Sequence, residues 1–283
     1  MTDAHRAAFA ALVCAAAALA PCGCARQRGS ERVEWTSMGT IAAVQARGAA
    51  DVRILSAEVR GVFAEVESLL NAHDGASEIC KVAALSDGEV VKACSEAVRP
   101  CYEAAFMLQK ATGGAFNPRW RGAGTLDLGA IAKGFAVDLA AGRVAVPEGG
   151  AALVDLGGNV KAVKGSWRTG VRDPGGNGFA ASVELREGEA LATSAMYFRG
   201  NHIYDGRTGR PADGGVASVT VLCRSAMLAD GLSTALFVLG PEEGRAFLAA
   251  RLDSLGCGGE VAVLWLLRDG SAVAFDRDGR FRR

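Results

Sequence analysis

A glycine-punctuated turn running into a helix, residues 125–138, constrains this chain more than any other stretch. It passes from Asp127 and Gly129 through small residues to Lys133 and Gly134, then into a helical segment ending at Asp138. Small residues let a backbone approach a ligand closely, and the first turn of a helix has N–H groups without intrahelical partners. Such a turn attracts anions, and Lys133 adds a positive point charge. The combination describes a phosphate-facing loop that also carries a carboxylate. A Mg²⁺-nucleotide or a dinucleotide is its natural ligand.

The rest of the chain is built to bury a core around such a loop. It has 283 residues, half of them hydrophobic, with lysine plus arginine balancing aspartate plus glutamate at 31 each. That balance argues against nucleic acid as a partner and against electrostatic membrane docking. Residues 1–24 read as a signal peptide: His5 and Arg6, then an apolar run over 7–20, too short for a membrane-spanning helix of roughly 20 residues. The run ends in Pro21, Cys22, Gly23 and Cys24. A small residue before a cysteine resembles a lipoprotein box, with Cys24 as the acylation site and Cys22 as the rival. The expectation is an exported protein at the periplasmic face, touching membrane only through a lipid anchor. Residues 25–34 follow as a polar tether, and 35–283 as the folded domain. Cys80, Cys94, Cys101, Cys223 and Cys257 match no zinc spacing, and burial as small apolar residues is expected.

Apolar spacing predicts a helix over 51–70, a loop over 71–79, a helix over 96–111 ending at Gly113 and Gly114, and a helix from the phosphate-facing loop to about Val144. Strands are expected near 41–44, 151–156, 167–171, 181–185, 216–222, 261–267 and 272–275. Ser225 is placed to cap a helix running to Leu239, and Pro241 to open the next. Strands and helices without a regular βαβ rhythm point to an α+β fold.

Several side chains are candidates for chemistry. Asp230 and Thr234 lie four apart in a segment apolar nearly all round, so on a helix they share a face. A carboxylate there needs a partner, and a hard cation held with the Thr hydroxyl supplies one; Mg²⁺ suits such a partial, all-oxygen set. The alternative is an Asp turned to solvent beside a Thr bonding its own backbone. His202, ahead of Asp205 and the Thr208–Gly209 turn, suits a base accepting a proton from an alcohol, or else a structural role. The turn of Gly157, Gly158 and Asn159 fits a hairpin or a ligand contact. Phe116, between Ala115 and Asn117, fits a ring-stacking or a core position.

Met38 to Thr40, Ser77 to Ile79, Thr112 to Phe116, Asp127 to Asp138, Gly157 to Asn159, Thr193 with Ser194, His202 to Asp205, Thr208 with Gly209 and Pro211, and Asp230 with residues 233–240 occur in an order that resembles the ApbE family, the FAD:protein FMN transferases. The resemblance spans about residues 35–275. It implies an α+β fold of mixed sheets with flanking helices, a T-fold-like two-lobed globule. It also implies Mg²⁺-dependent transfer of FMN from FAD to a Thr or Ser hydroxyl of an acceptor subunit in an electron-transfer complex, with release of AMP. Asp230, Thr234 and a main-chain oxygen at Ala130 would hold the metal. Met38, His73, Ala115, Phe116, Asn117, Asp127, Lys133, Gly158 and Asn159 would contact FAD, and His202 would be the base. Asn117 stands where the family has Asp, and His73 where a tyrosine is common. The second departure keeps open an FAD pyrophosphatase releasing FMN and AMP, and a non-catalytic flavin-binding lipoprotein is the third reading.

Overall fold

A computed structural model of the chain describes residues 29–196 and 203–283. The leader, Cys22, Cys24 and His202 therefore lie outside the described residues. The chain opens with the hairpin β1 (Ser30–Ser37) and β2 (Thr40–Gly48). Ser30 to Glu34, expected to belong to a tether, pair with Arg47 to Ala43 instead. The polar-apolar mix of this stretch is that of an edge strand, half-exposed and carrying charge outward.

Helix α1 (Val52–Leu70) is capped by Asp51, whose carboxylate accepts from the backbone N–H of Arg53 and Ile54. Two short helices follow, α2 (Glu78–Val82) and α3 (Asp87–Ala93), then α4 (Arg99–Ala111). The two short ones fall where a loop or nothing regular was expected, because one or two turns are too short to show a period. They are legible by their caps: Ser77 accepts from Cys80 N–H, and Ser86 with Glu89 forms a capping box. Helix α5 (Ala132–Arg143) comes next.

The second half is mostly strand: β3 (Gly150–Leu156), β4 (Asn159–Lys164), β5 (Trp167–Arg172), β6 (Phe179–Leu185), β7 (Ala190–Ala195), β8 (Tyr204–Asp205), β9 (Arg210–Pro211), β10 (Val216–Cys223), β11 (Ala262–Leu267) and β12 (Ala272–Phe275). Between β10 and β11 lies α6 (Ala226–Arg251), whose helical path breaks at Gly240 (φ 70°, ψ 178°) just before Pro241. The expected stop at Leu239 and restart at Pro241 are thus both present.

Eight strands form one sheet in the order β1-β2-β3-β4-β7-β10-β11-β12. Every strand pair described is antiparallel, so the fold is α+β with purely antiparallel sheets rather than mixed ones. The strands of the sheet centre are apolar on both faces, and their alternation feeds two cores. Ala152, Val154, Val219, Val221, Val263 and Trp265 face the helices, among them α1, α5 and α6. Leu153, Val160, Leu191, Leu222, Leu264 and Leu266 face the other way, against Trp167, Val171, Val183 and Leu185 of the β5–β6 hairpin. Arg280 ties the chain end under that hairpin. Its guanidinium donates to both oxygens of Glu189 (3.1 and 2.7 Å), to Glu260 and to the Glu184 carbonyl.

Burial alone would push the Glu189 carboxyl up, but the Arg280 guanidinium and the Arg186 backbone N–H outweigh it and hold the group below the usual glutamate range. A depressed carboxylate stabilises the fold above its unfolded pKa, and that contribution drains away as pH falls through the folded value. Glu189→Gln should therefore be less stable than the parent at neutral pH and show a flatter loss between neutral and acid, measured by urea unfolding across pH. Equal acid slopes in the two proteins would refute this role.

Candidate functional site

The site is built where α5 meets α6. Gly134 makes the meeting possible: a Cβ there would stand 2.1 Å from the Ala226 carbonyl oxygen and 2.8 Å from the Asp230 Cβ. Its N–H, one of those left over at the start of α5, donates to Asp230 Oδ2 at 3.0 Å. Asp230 is 4% exposed, and the positive end of the α5 dipole and the ammonium of Lys133 both face it. Lys133 Nζ lies 3.4 and 3.3 Å from the two carboxylate oxygens and donates to the Gly129 carbonyl at 2.9 Å. The carboxylate is thus turned inward and paired, not turned to solvent.

One turn along α6, the hydroxyls form a chain whose direction follows from proton count. Ser233 Oγ donates to the Asp230 carbonyl at 2.8 Å. Having one hydrogen, it must accept from Ser194 Oγ at 2.7 Å, so Ser194 in turn accepts from Thr234 Oγ1 at 3.0 Å. The Thr234 hydrogen is therefore spent on Ser194, and its oxygen lone pairs are left to accept or to coordinate. Ser194 and Ser233 are the members that spacing on α6 alone did not single out. The signal available was a pair of hydroxyl residues, Thr193 and Ser194, ending an otherwise apolar strand.

Among the described residues no group of three or more His, Cys, Asp or Glu side chains is placed to hold a metal. What exists is a partial set of hard oxygens: the Asp230 carboxylate and the Gly129 carbonyl, both drawn to the Lys133 ammonium, with the Thr234 hydroxyl one helical turn on from Asp230. That donor set fits Mg²⁺, which keeps waters and shares its shell with a ligand's phosphates.

The other candidates make contacts of their own, apart from this centre. Asp127 accepts from Gly129 N–H at 2.9 Å and pairs with Arg121 at 3.3 Å. Ala115 and Phe116 are buried, at 0% and 2% exposure, so the backbone is what this segment offers. Asn117 makes three side-chain hydrogen bonds. Its carbonyl oxygen accepts from Gln109 Nε2 and Arg119 N–H, and its amide donates to the Gly206 carbonyl at 3.1 Å. Gly206 packs so closely that a Cβ would lie 2.3 Å from that of Asn117. Next to this, Trp120 stacks on Tyr204 at 4.0 Å between centroids, and Arg121 covers the Trp120 ring.

Met38 and Gly39 form the two-residue β1–β2 turn with φ of 48° and 68°, the geometry of a type I′ hairpin. A methionine in left-handed backbone is uncommon, and Glu67 Oε2 fastens it by accepting its N–H at 3.1 Å. Gly157 and Gly158 turn the β3–β4 hairpin in the same way, and a Cβ on Gly157 would strike Thr40. The two turns therefore sit side by side. Asn159 donates to the Leu156 carbonyl at 3.2 Å, while its own buried Oδ1 has no hydrogen-bond partner among the described residues. His73 is exposed in the loop after α1. No hydrogen bond of Met38, His73 or Asn159 among the described residues reaches the Asp230 centre.

Replacing the Gly134 hydrogen by a methyl forces α5 off α6. Gly134→Ala should cost about 1–3 kcal/mol of stability, the usual penalty of overpacking, in urea unfolding; an unchanged midpoint would show the helices able to part freely. Asn117→Asp removes the donor to Gly206 and should cost about 1–3 kcal/mol in the same measurement.

The ApbE family's sequence model matches residues 119–257. Over 161 residues the chain is 42% identical to an FAD:protein FMN transferase of Rhodobacter capsulatus, covering 53% of this chain and 29% of that one. Over 137 residues it is 37% identical to one from Klebsiella pneumoniae, covering 45% and 43%. The chain thus spans less than half the length of the curated relatives it matches. An ApbE protein of Thermotoga maritima superposes with a TM-score of 0.71 at 23% identity, over 86% of this chain and 96% of that one. The flavinyl transferase ApbE of Pseudomonas stutzeri, in its apo form, gives 0.68 at 24% identity, over 87% and 93%. These two likenesses establish the fold.

Proposed function

From the match of residues 119–257 to the ApbE family's sequence model, together with the Asp230 centre, we propose that the chain is an ApbE-type, Mg²⁺-dependent FAD:protein FMN transferase. The reaction moves the FMN phosphoryl group of FAD onto a Thr or Ser hydroxyl of an acceptor protein and releases AMP. The observation that carries the reading is the Asp230–Thr234 pair: a buried carboxylate, and one helical turn on a hydroxyl whose lone pairs are free because its proton goes to Ser194. Mg²⁺, when bound, would neutralise charge on the pyrophosphate as AMP leaves.

The chain's own residues divide the remaining work. Asp230, Thr234 and the Ala130 carbonyl would hold the metal. Asp127 and Lys133, at the mouth of α5, would face the nucleotide. Met38, His73, Ala115 to Asn117, Gly158 and Asn159 would line the rest of the FAD site, the unpartnered Asn159 Oδ1 being ready to accept a ligand hydrogen bond. His202 would take the proton of the acceptor hydroxyl. The acceptor would be a subunit of an electron-transfer complex. The leader ending at Cys24, with Cys22 as the alternative, supports export and lipid anchoring. Among the described residues no helix is long and apolar enough to cross a membrane. The second reading, motivated by His73 standing where the resemblance expects a tyrosine, is hydrolysis of FAD to FMN and AMP.

Co-expression with a candidate acceptor domain should give a denaturation-resistant fluorescent band and an FMN-sized mass gain. Asp230→Asn should abolish both while leaving a folded protein by circular dichroism. Labelling by Asp230→Asn at the parent's rate would remove the carboxylate from the mechanism.

A further inference from the structure

Lys133 is held in an unusual way for a residue expected to face phosphate. Its ammonium has three donors, and three oxygens surround it: both of Asp230, at 3.4 and 3.3 Å, and the Gly129 carbonyl, at 2.9 Å. Asp230 is buried, and among the described residues its one other side-chain hydrogen bond comes from the Gly134 N–H, which brings only the partial charge of a helix start. A buried carboxylate without a positive partner is costly, so the protein needs a cation at this place whenever no ligand supplies one. Lys133 supplies it, and its side chain is 23% exposed, with the flexible stem needed to leave.

The oxygens that hold Lys133 overlap those that suit a hard divalent cation, and two cations cannot share them without strong repulsion. We propose that Lys133 is the internal counterion of Asp230 in the metal-free protein and gives up Asp230 when a divalent cation binds, leaving its ammonium free for an anionic phosphate. This rests on the reading of Asp230 and Thr234 as metal ligands. It makes Lys133 a positioning residue that links metal occupancy to phosphate contact: the lysine is withheld from the nucleotide until the metal arrives. The order of binding follows, metal first and phosphate second.

Two measurements on the free protein test this. Mn²⁺ binding, followed by the loss of its free paramagnetic resonance signal, is compared among the parent, Lys133→Met and Asp230→Asn. Lys133→Met should bind roughly tenfold tighter than the parent, since a competing charge is gone, and Asp230→Asn should bind poorly. Separately, the parent is acylated with a water-soluble amine reagent with and without Mg²⁺, and peptides are quantified by mass. Labelling of Lys133 should rise several-fold with Mg²⁺, while Lys161, held by Asp138 at 2.6 Å, stays constant as the internal control. If the parent binds Mn²⁺ through Asp230 but Lys133 labelling does not change with Mg²⁺, the lysine does not move and the inference is overturned, the metal site standing. If neither the parent nor Lys133→Met binds Mn²⁺, the metal reading falls first and takes the inference with it.

Discussion

The contact of α5 with α6 at Gly134 is the constraint on which the candidate site depends. Because no side chain separates the two helices there, the N–H at the start of α5 reaches a carboxylate inside α6, and Lys133 reaches it from the next position. A negative charge can then be kept in a helix that is otherwise apolar. Lys133 in turn ties the Gly129 carbonyl to the same place. Without the close approach, Asp230 would be an uncompensated ion and the helix would have to turn it outward.

Around this contact the fold works as a platform. The antiparallel sheet buries both faces, one under helices and one under the β5–β6 hairpin, so the strand that carries Ser194 cannot shift register without exposing apolar side chains. Ser194 is thereby fixed opposite Ser233 and Thr234, and the direction of the hydroxyl chain is fixed with it.

Much of this was legible in the sequence, for physical reasons that differ by element. The 3.6-residue period showed α1, and Ser225 and Pro241 marked the start and the break of α6, because caps and breakers act locally. The Asp230–Thr234 spacing is enough to place two groups on one helix face. The strand β4 was not visible, since it starts at Asn159 inside the turn motif and is only six residues long, with lysines at 161 and 164. Helices α2 and α3 were hidden by their shortness. Ser30 to Glu34 were misassigned to a tether because an edge strand can be as polar as a linker. The Lys133–Asp230 pair was not legible at all: the two residues are 97 apart, and only tertiary packing joins them. Asn117 serves as a donor to the Gly206 carbonyl, a contact that a carboxylate could not make.

Asp138, at the far end of the stretch that opens with Asp127, has a structural role that spacing along the chain does not show. Its carboxylate takes the Ser225 hydroxyl and the N–H groups of Ala226 and Met227, and Lys161 neutralises it from the sheet. One helix therefore supplies the N-terminal cap of the other, one turn below the place where it clasps Asp230. The two helices are pinned at two points, so the backbone positions that carry the lysine and the aspartate stay in register while the lysine's flexible stem can swing between partners.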